Sequence, residues 1–129
     1  MSKILVDLSE FPVFHLKFPP ELTREDVDEL GEALLEGMRK GKIATVSDIN
    51  QIAMAGYPAS IRQYFADMVK RIHGQFPNIA AESVYTDNAI ARGVYTAYTW
   101  LMGGPYPTKC FRTREEATAW AVELLRAAR

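Results

Sequence analysis

Short β-leaning runs and longer helical stripes take turns along this chain, and that alternation restricts its fold more than any single motif does. Val13 to Phe18 is the clearest run, with Phe14, Leu16 and Phe18 on one face and Val13, His15 and Lys17 on the other. A period of two of this kind marks a half-buried strand. Ile4 to Leu8 is a second β-leaning run, separated from it by Ser9-Glu10-Phe11-Pro12. That spacing predicts an antiparallel pair at a sheet edge. Pro19-Pro20 ends the second strand, because proline has no N–H for a ladder.

From there the order is regular. Thr23 opens a helix, with Glu25 and Asp26 in its first turn and Val27, Leu30, Leu34 and Met38 as its apolar stripe, and Gly41 stops it. Ile43 to Ile49 reads as a third strand. A loop with Gly56, Tyr57 and Pro58 leads into a helix from about Ala59 to Gln75, striped by Ile61, Phe65, Met68 and Ile72. Ala80 to Thr86 is a fourth strand, and Asp87-Asn88 caps a helix reaching Met102. Gly103-Gly104-Pro105-Tyr106-Pro107 breaks the chain before a brief strand from Thr108 to Arg112. Thr113-Arg114-Glu115-Glu116 reads as a capping box for a last helix with Ala117, Trp120, Leu124 and Ala128 on one face. The order β-β-α-β-α-β-α-β-α implies an α/β fold with right-handed crossovers, a mostly parallel sheet of about five strands and four covering helices.

At 129 residues this is one domain, 1–129, and 48% hydrophobic composition supplies a core without disulfides or metals. The formal charge of −1 comes from 15 basic and 16 acidic residues scattered along the chain, with no basic run to neutralise phosphates, so no nucleic-acid partner is expected. The single cysteine, Cys110, suits a reducing compartment. With no secretory or membrane-spanning pattern at the N-terminus, the expected location is cytoplasmic.

The motif search returns no active site. There is no phosphate loop, dinucleotide fingerprint, GxSxG elbow or paired-histidine zinc motif, so no catalytic residue, metal or cofactor is expected. His15 and His73 read as a half-buried strand histidine and a solvated helix-end histidine. Cys110 reads as a small buried hydrophobe. Asp48 ends a strand, where ligands gather in open α/β sheets. A phospho-receiver, with Thr86 and Lys109 as switch residues, would also need an acidic pair after the first strand, and Asp7 stands alone there. Asp48 is better read as a loop cap.

Two regions stand out. In the loop from Asn50 to Ser60, Ser60 lies in the first helical turn, where free amides and the helix dipole favour a phosphate. Asp48, Tyr57 and Ser60 are the candidates there for phospho-acceptance or partner binding. In the third helix, Ile90, Val94, Ala97 and Leu101 form one apolar stripe, which is expected to face the sheet. Ala91, Tyr95, Tyr98 and Met102 form another, next to Trp100. A helix apolar nearly all round shares a face with something else or is deeply buried. Tyr95, Tyr98, Trp100 and Met102 are therefore candidates for an apolar ligand or an interface.

Together the opening strands, the Leu22-Thr23-Arg24-Glu25-Asp26 helix entry, the strand Ile43 to Asp48, the helix around Ala91-Arg92 and the ending Cys110-Phe111-Arg112-Thr113-Arg114-Glu115-Glu116-Ala117 with Trp120 resemble the STAS superfamily. The resemblance is to its SpoIIAA-like (STAS/SEC14-like) branch of small bacterial proteins and covers nearly the whole chain. It implies a sheet of four to five strands with helices mainly on one side. It also implies a non-enzymatic regulatory module resembling anti-sigma factor antagonists, which bind a partner kinase and are switched by serine phosphorylation. Ser60 matches the position of that serine, but Pro58 and Ala59 depart from the acidic and small residues that usually precede it. Related folds hold lipids between the sheet and a movable helix. The expected partners are therefore a regulatory kinase or anti-sigma-like protein, a second copy in a homodimer, or a lipid or membrane surface.

Overall fold

The computed structural model describes residues 3–53, 56–102 and 105–128, with side chains left undescribed from 97 to 102. Five strands form one sheet in chain order: β1 Leu5–Asp7, β2 Val13–Lys17, β3 Ile43–Asp48, β4 Ile79–Tyr85 and β5 Thr108–Phe111. β1 and β2 pair antiparallel, and every later pair is parallel. The helices are α1 Arg24–Arg39, α2 Ala59–Gln75, α3 Ala89–Met102 and α4 Arg114–Ala127.

The strand order explains the layering. Each crossover from β2 to β5 steps to the next strand in the same direction, and right-handed crossovers then put α1, α2 and α3 on the same face of the sheet. α4 follows the last strand and packs on the opposite face, against β3, β4 and β5. Two cores result. Phe14, Leu16 and Ile43 meet Val27, Leu30, Leu34 and Met38 of α1 and Ile61, Met68 and Ile72 of α2 on one side. Val13, Ala44, Val46 and Ala81 meet Ala117, Ala121 and Leu125 on the other.

Because both faces are covered, β2 is not the half-buried strand that its alternation predicts. Val13, Phe14, His15 and Leu16 are all buried. His15 is only 6% exposed, and its Nε2 lies 2.6 Å from a Glu10 carboxylate oxygen. The stripe of α4 is also turned by one residue from the expected one. Ala117, Ala121 and Leu125 are buried, Trp120 and Leu124 lie half-buried at the margin, and Ala128 is exposed. The ring of Trp120 rests against Phe111, 5.7 Å between centroids.

The reciprocal capping box sits at α1 rather than at α4. Thr23 Oγ1 accepts the Asp26 amide at 3.2 Å, and Asp26 Oδ2 accepts the Thr23 amide at 2.9 Å. At α4, Thr113 Oγ1 accepts the Glu116 amide at 3.2 Å, but the Glu116 carboxylate takes the Thr113 hydroxyl instead of its amide. Asp26 also accepts the Lys3 amide at 2.9 Å, which ties the N-terminal segment to α1. Gly41, at φ +141°, adopts a backbone disfavoured for residues with a side chain and ends α1 where the sequence indicates.

Candidate functional site

The loop residues singled out from the sequence are not assembled into one constellation. Asp48 shares the parity of Ala44 and Val46, so it points to the face covered by α4. Its Oδ1 accepts both the amide and the side-chain N–H of Asn50 at 2.9 Å, closing an Asx turn. Burial raises the pKa of the neighbouring Tyr85 phenol, and the negative charge of Asp48 adds to the effect. Tyr57 belongs to the other side, packed at the rim of the α1–α2 core. Its hydroxyl donates to the Pro19 carbonyl at 2.5 Å, and burial first, then the charge of Asp26, raises its pKa. Ser60 is exposed in the first turn of α2. Pro58 stands at the N-cap and supplies no side-chain hydrogen bond, and no acidic residue follows in that turn.

Asn50 was not among the candidates, yet it joins this loop to the entry of α3. Its Oδ1 accepts the Thr86 hydroxyl at 3.2 Å and the Asp87 amide at 3.0 Å. Asn88 then caps α3, accepting the amides of Ile90 at 2.9 Å and Ala91 at 3.1 Å. The Arg92 guanidinium turns back to the Thr86 carbonyl at 2.8 Å.

α3 corrects the sequence reading most sharply. Ile90 and Val94, expected to face the sheet, are 67% and 56% exposed. Of the other stripe, Ala91 and Tyr95 are half-buried, and the Tyr95 hydroxyl donates to Glu82 Oε2 at 3.3 Å. Tyr98, Trp100 and Met102 lie outside the described side chains. The rotation brings together a group of polar side chains that sequence reading did not assemble. Glu82 follows Ala81, which faces α4, so its side chain projects to the opposite face, beneath α3. Thr45 and Thr108 flank it across the ladder, and Val84 and Cys110 form the next rung.

The electrostatics of this cluster follow from burial. Burial raises the pKa of the Glu82 carboxyl, and the Tyr95 hydrogen bond offsets part of that rise. Burial, reinforced by the charge of Glu82, also holds the Tyr95 and Tyr106 phenols above their ordinary values. Burial raises Cys110 against a smaller opposing pull from Arg92. The thiol and both phenols thus stay protonated at neutral pH, so they offer hydrogen bonds rather than nucleophiles. His73 packs on Tyr106, with 5.3 Å between ring centroids, and its buried Nδ1 has no hydrogen-bond partner among the described residues. It is half-buried rather than solvated, and desolvation, then Lys42, lowers its pKa.

A signal for Glu82 was present in the sequence: a lone carboxylate in the middle of the otherwise small and apolar strand Ile79–Tyr85. What it lacked was a partner, because Tyr95 comes from another element. Among the described residues no group of three or more His, Cys, Asp or Glu side chains could hold a metal ion. No described helix is long and apolar enough to cross a membrane. Surface hollows of about 250 Å³ between α1 and α2 and about 280 Å³ beside Phe11 and Lys40 lie apart from both candidate regions.

Comparison with known proteins agrees with this architecture. The SpoIIAA-like family model matches residues 13–121, from the start of β2 into α4. Among solved structures, the chain is similar to an uncharacterised protein of the DUF3478 family with a SpoIIAA-like fold from Shewanella loihica PV-4. The TM-score is 0.67 at 19% identity, covering 92% of this chain and 91% of that one, a likeness that speaks to the fold alone. No curated protein matches the sequence. A family match running through four of the five strands, on a sheet and helix arrangement shared with that structure, shows that the chain belongs to the SpoIIAA-like family.

Proposed function

We propose that this chain is a non-enzymatic binding module that takes an apolar or amphipathic small molecule between α3 and the sheet. The orientation of α3 carries the reading. The helix turns Tyr95 onto a carboxylate, and Ile90 and Val94 on its outer side gain little from burial. The polar holds on it include the Asn88 cap, the Arg92–Thr86 contact and the long Tyr95–Glu82 bond. Beneath it lie an apolar rung, Val84 and Cys110, and a small set of polar groups, the combination typical of small-molecule sites. Raising α3 admits a ligand and breaks the long Tyr95–Glu82 hydrogen bond.

Titration with a fluorescent alkyl-chain probe checks this. We expect saturable one-to-one binding by the purified protein. Substitution of Cys110→Trp, which fills the floor beneath α3, should weaken binding at least about tenfold while the far-ultraviolet circular dichroism is retained. Absence of saturable binding by the native protein would overturn the reading.

A second reading, a protein-binding switch at the β3–α2 loop, is supported by the exposure of Ser60 at a helix N-terminus without a capping side chain. A phosphoryl group there would meet free amides and the positive end of the helix dipole. Intact mass measurement on protein from its own host should then show one added phosphate that is lost in Ser60→Ala. An unmodified chain counts against the switch.

A further inference from the structure

We propose that the hollow between α1 and α2 binds a free α-amino acid with an aliphatic side chain, its carboxylate on Arg71 and its ammonium group on Asp28 and Glu32. This site is separate from the one beneath α3 and stands or falls independently of it. The first observation is how charge is arranged around the hollow. Its volume is about 250 Å³, room for a molecule the size of one amino acid, and Asp28 and Glu32 of α1 border it together with Arg71 and Gln75 of α2. Each pair is four residues apart, which places both members on one side of their helix. Leu35 and Ile72 supply the apolar part of the lining.

The second observation is that these opposite charges share the hollow without neutralising each other. Among the described residues no ion pair or hydrogen bond joins Arg71 to Asp28 or Glu32. Asp28 is nevertheless held in place. The Tyr64 hydroxyl, from α2, donates to its Oδ1 at 2.7 Å, and the Arg24 guanidinium lies over the Tyr64 ring, 4.9 Å from the centroid. Asp28 Oδ2 and the Glu32 carboxylate are left to accept from a ligand.

A zwitterion carries both complementary charges on one carbon. Its ammonium group brings three N–H donors to the two carboxylates, and its carboxylate accepts the forked donors of Arg71. The Gln75 amide adds a further donor. A simple amine leaves Arg71 unmatched, and a simple carboxylate is repelled by Asp28 and Glu32. An aliphatic side chain then lies against Leu35 and Ile72.

Titration of the isotope-labelled protein with L-leucine, leucinamide and N-acetylleucine at pH 7, followed by amide nuclear magnetic resonance, tests the proposal. The expected result is saturable one-site binding of leucine that shifts the amides of residues 28–35 and 71–75. Leucinamide, which lacks the carboxylate, and N-acetylleucine, which lacks the ammonium group, should each bind about fivefold more weakly, the upper end for a solvent-exposed ion pair. Arg71→Gln should erase the preference for leucine over leucinamide, and Glu32→Gln should shrink the preference over N-acetylleucine. Both side chains are exposed, so neither change should prevent folding. Absence of saturable shifts in these two segments overturns the inference. So does an analogue that binds as tightly as leucine, or a preference over leucinamide that survives Arg71→Gln.

Discussion

Replacing Phe14 with alanine should destabilise the protein by about 3–5 kcal/mol, the range for deleting a buried aromatic ring. Phe14 is 1% exposed on the inner face of β2 and belongs to the core shared with α1 and α2. Its ring tilts against Phe11, 6.0 Å between centroids, and abuts Gly37 of α1. Against a typical total stability of roughly 5–15 kcal/mol, that loss should lower the melting temperature by about 15 °C. Thermal and urea unfolding followed by circular dichroism measure it directly.

The same contact supplies an internal control. A Cβ added at Gly37 would lie 2.6 Å from Phe14 Cζ and 2.7 Å from Cε1, so Gly37→Ala should destabilise the native protein despite the better helix propensity of alanine. In the Phe14→Ala background the obstruction is gone. The same substitution should then be neutral or stabilising, by up to about 1 kcal/mol. Additive effects of the two changes would show that the ring and the glycine do not oppose each other.

Asp26→Ala should cost about 2–3 kcal/mol, because it strands the amides of Lys3 and Thr23 together and removes one side of the α1 capping box. Asp26 is 2% exposed. Burial alone would raise its pKa, but hydrogen bonds from Lys3 and Thr23 outweigh burial, and the folded value lies below the ordinary one. The sign of the pH dependence follows. The stability supplied by the ionised carboxylate is fully present above the unfolded pKa of about 3.9, and it is lost as pH falls through the lower folded value. The gap between native protein and Asp26→Ala should therefore hold from pH 7 to about 5 and narrow in stronger acid. A gap that widens in acid would contradict this account.

How far the sequence could be read depends on whether an element's environment is dictated locally. α1 was legible because its stripe, its threonine cap and its terminal glycine all agree, and Val27, Leu30, Leu34 and Met38 are buried as its period requires. α2 was legible from its stripe alone, with Ile61, Met68 and Ile72 buried and Phe65 partly buried against the same core. α3 was not legible, because it carries two apolar stripes and nothing local ranks them. The sheet ranks them instead: Glu82 holds a tyrosine hydroxyl, which turns Tyr95 inward and Ile90 and Val94 outward. The candidate loop fared similarly. Asp48, Tyr57 and Ser60 are close in sequence, but strand parity sends Asp48 to the α4 face, while Tyr57 packs at the α1–α2 rim.

The sequence by itself determined the alternation of strands and helices, hence the parallel sheet with its antiparallel edge pair, the caps and the stops. These follow from backbone preferences and hydrophobic periods that act within a few residues. Only the tertiary structure decided that β2 is covered on both faces, that α4 turns Ala121 and Leu125 inward, and that Asp26 reaches back to Lys3. It alone brought Tyr95 of α3 onto Glu82 of β4. Those outcomes depend on contacts between elements distant in the chain. Such contacts form only once the sheet order is set and each helix has been assigned a face, so no local pattern encodes them.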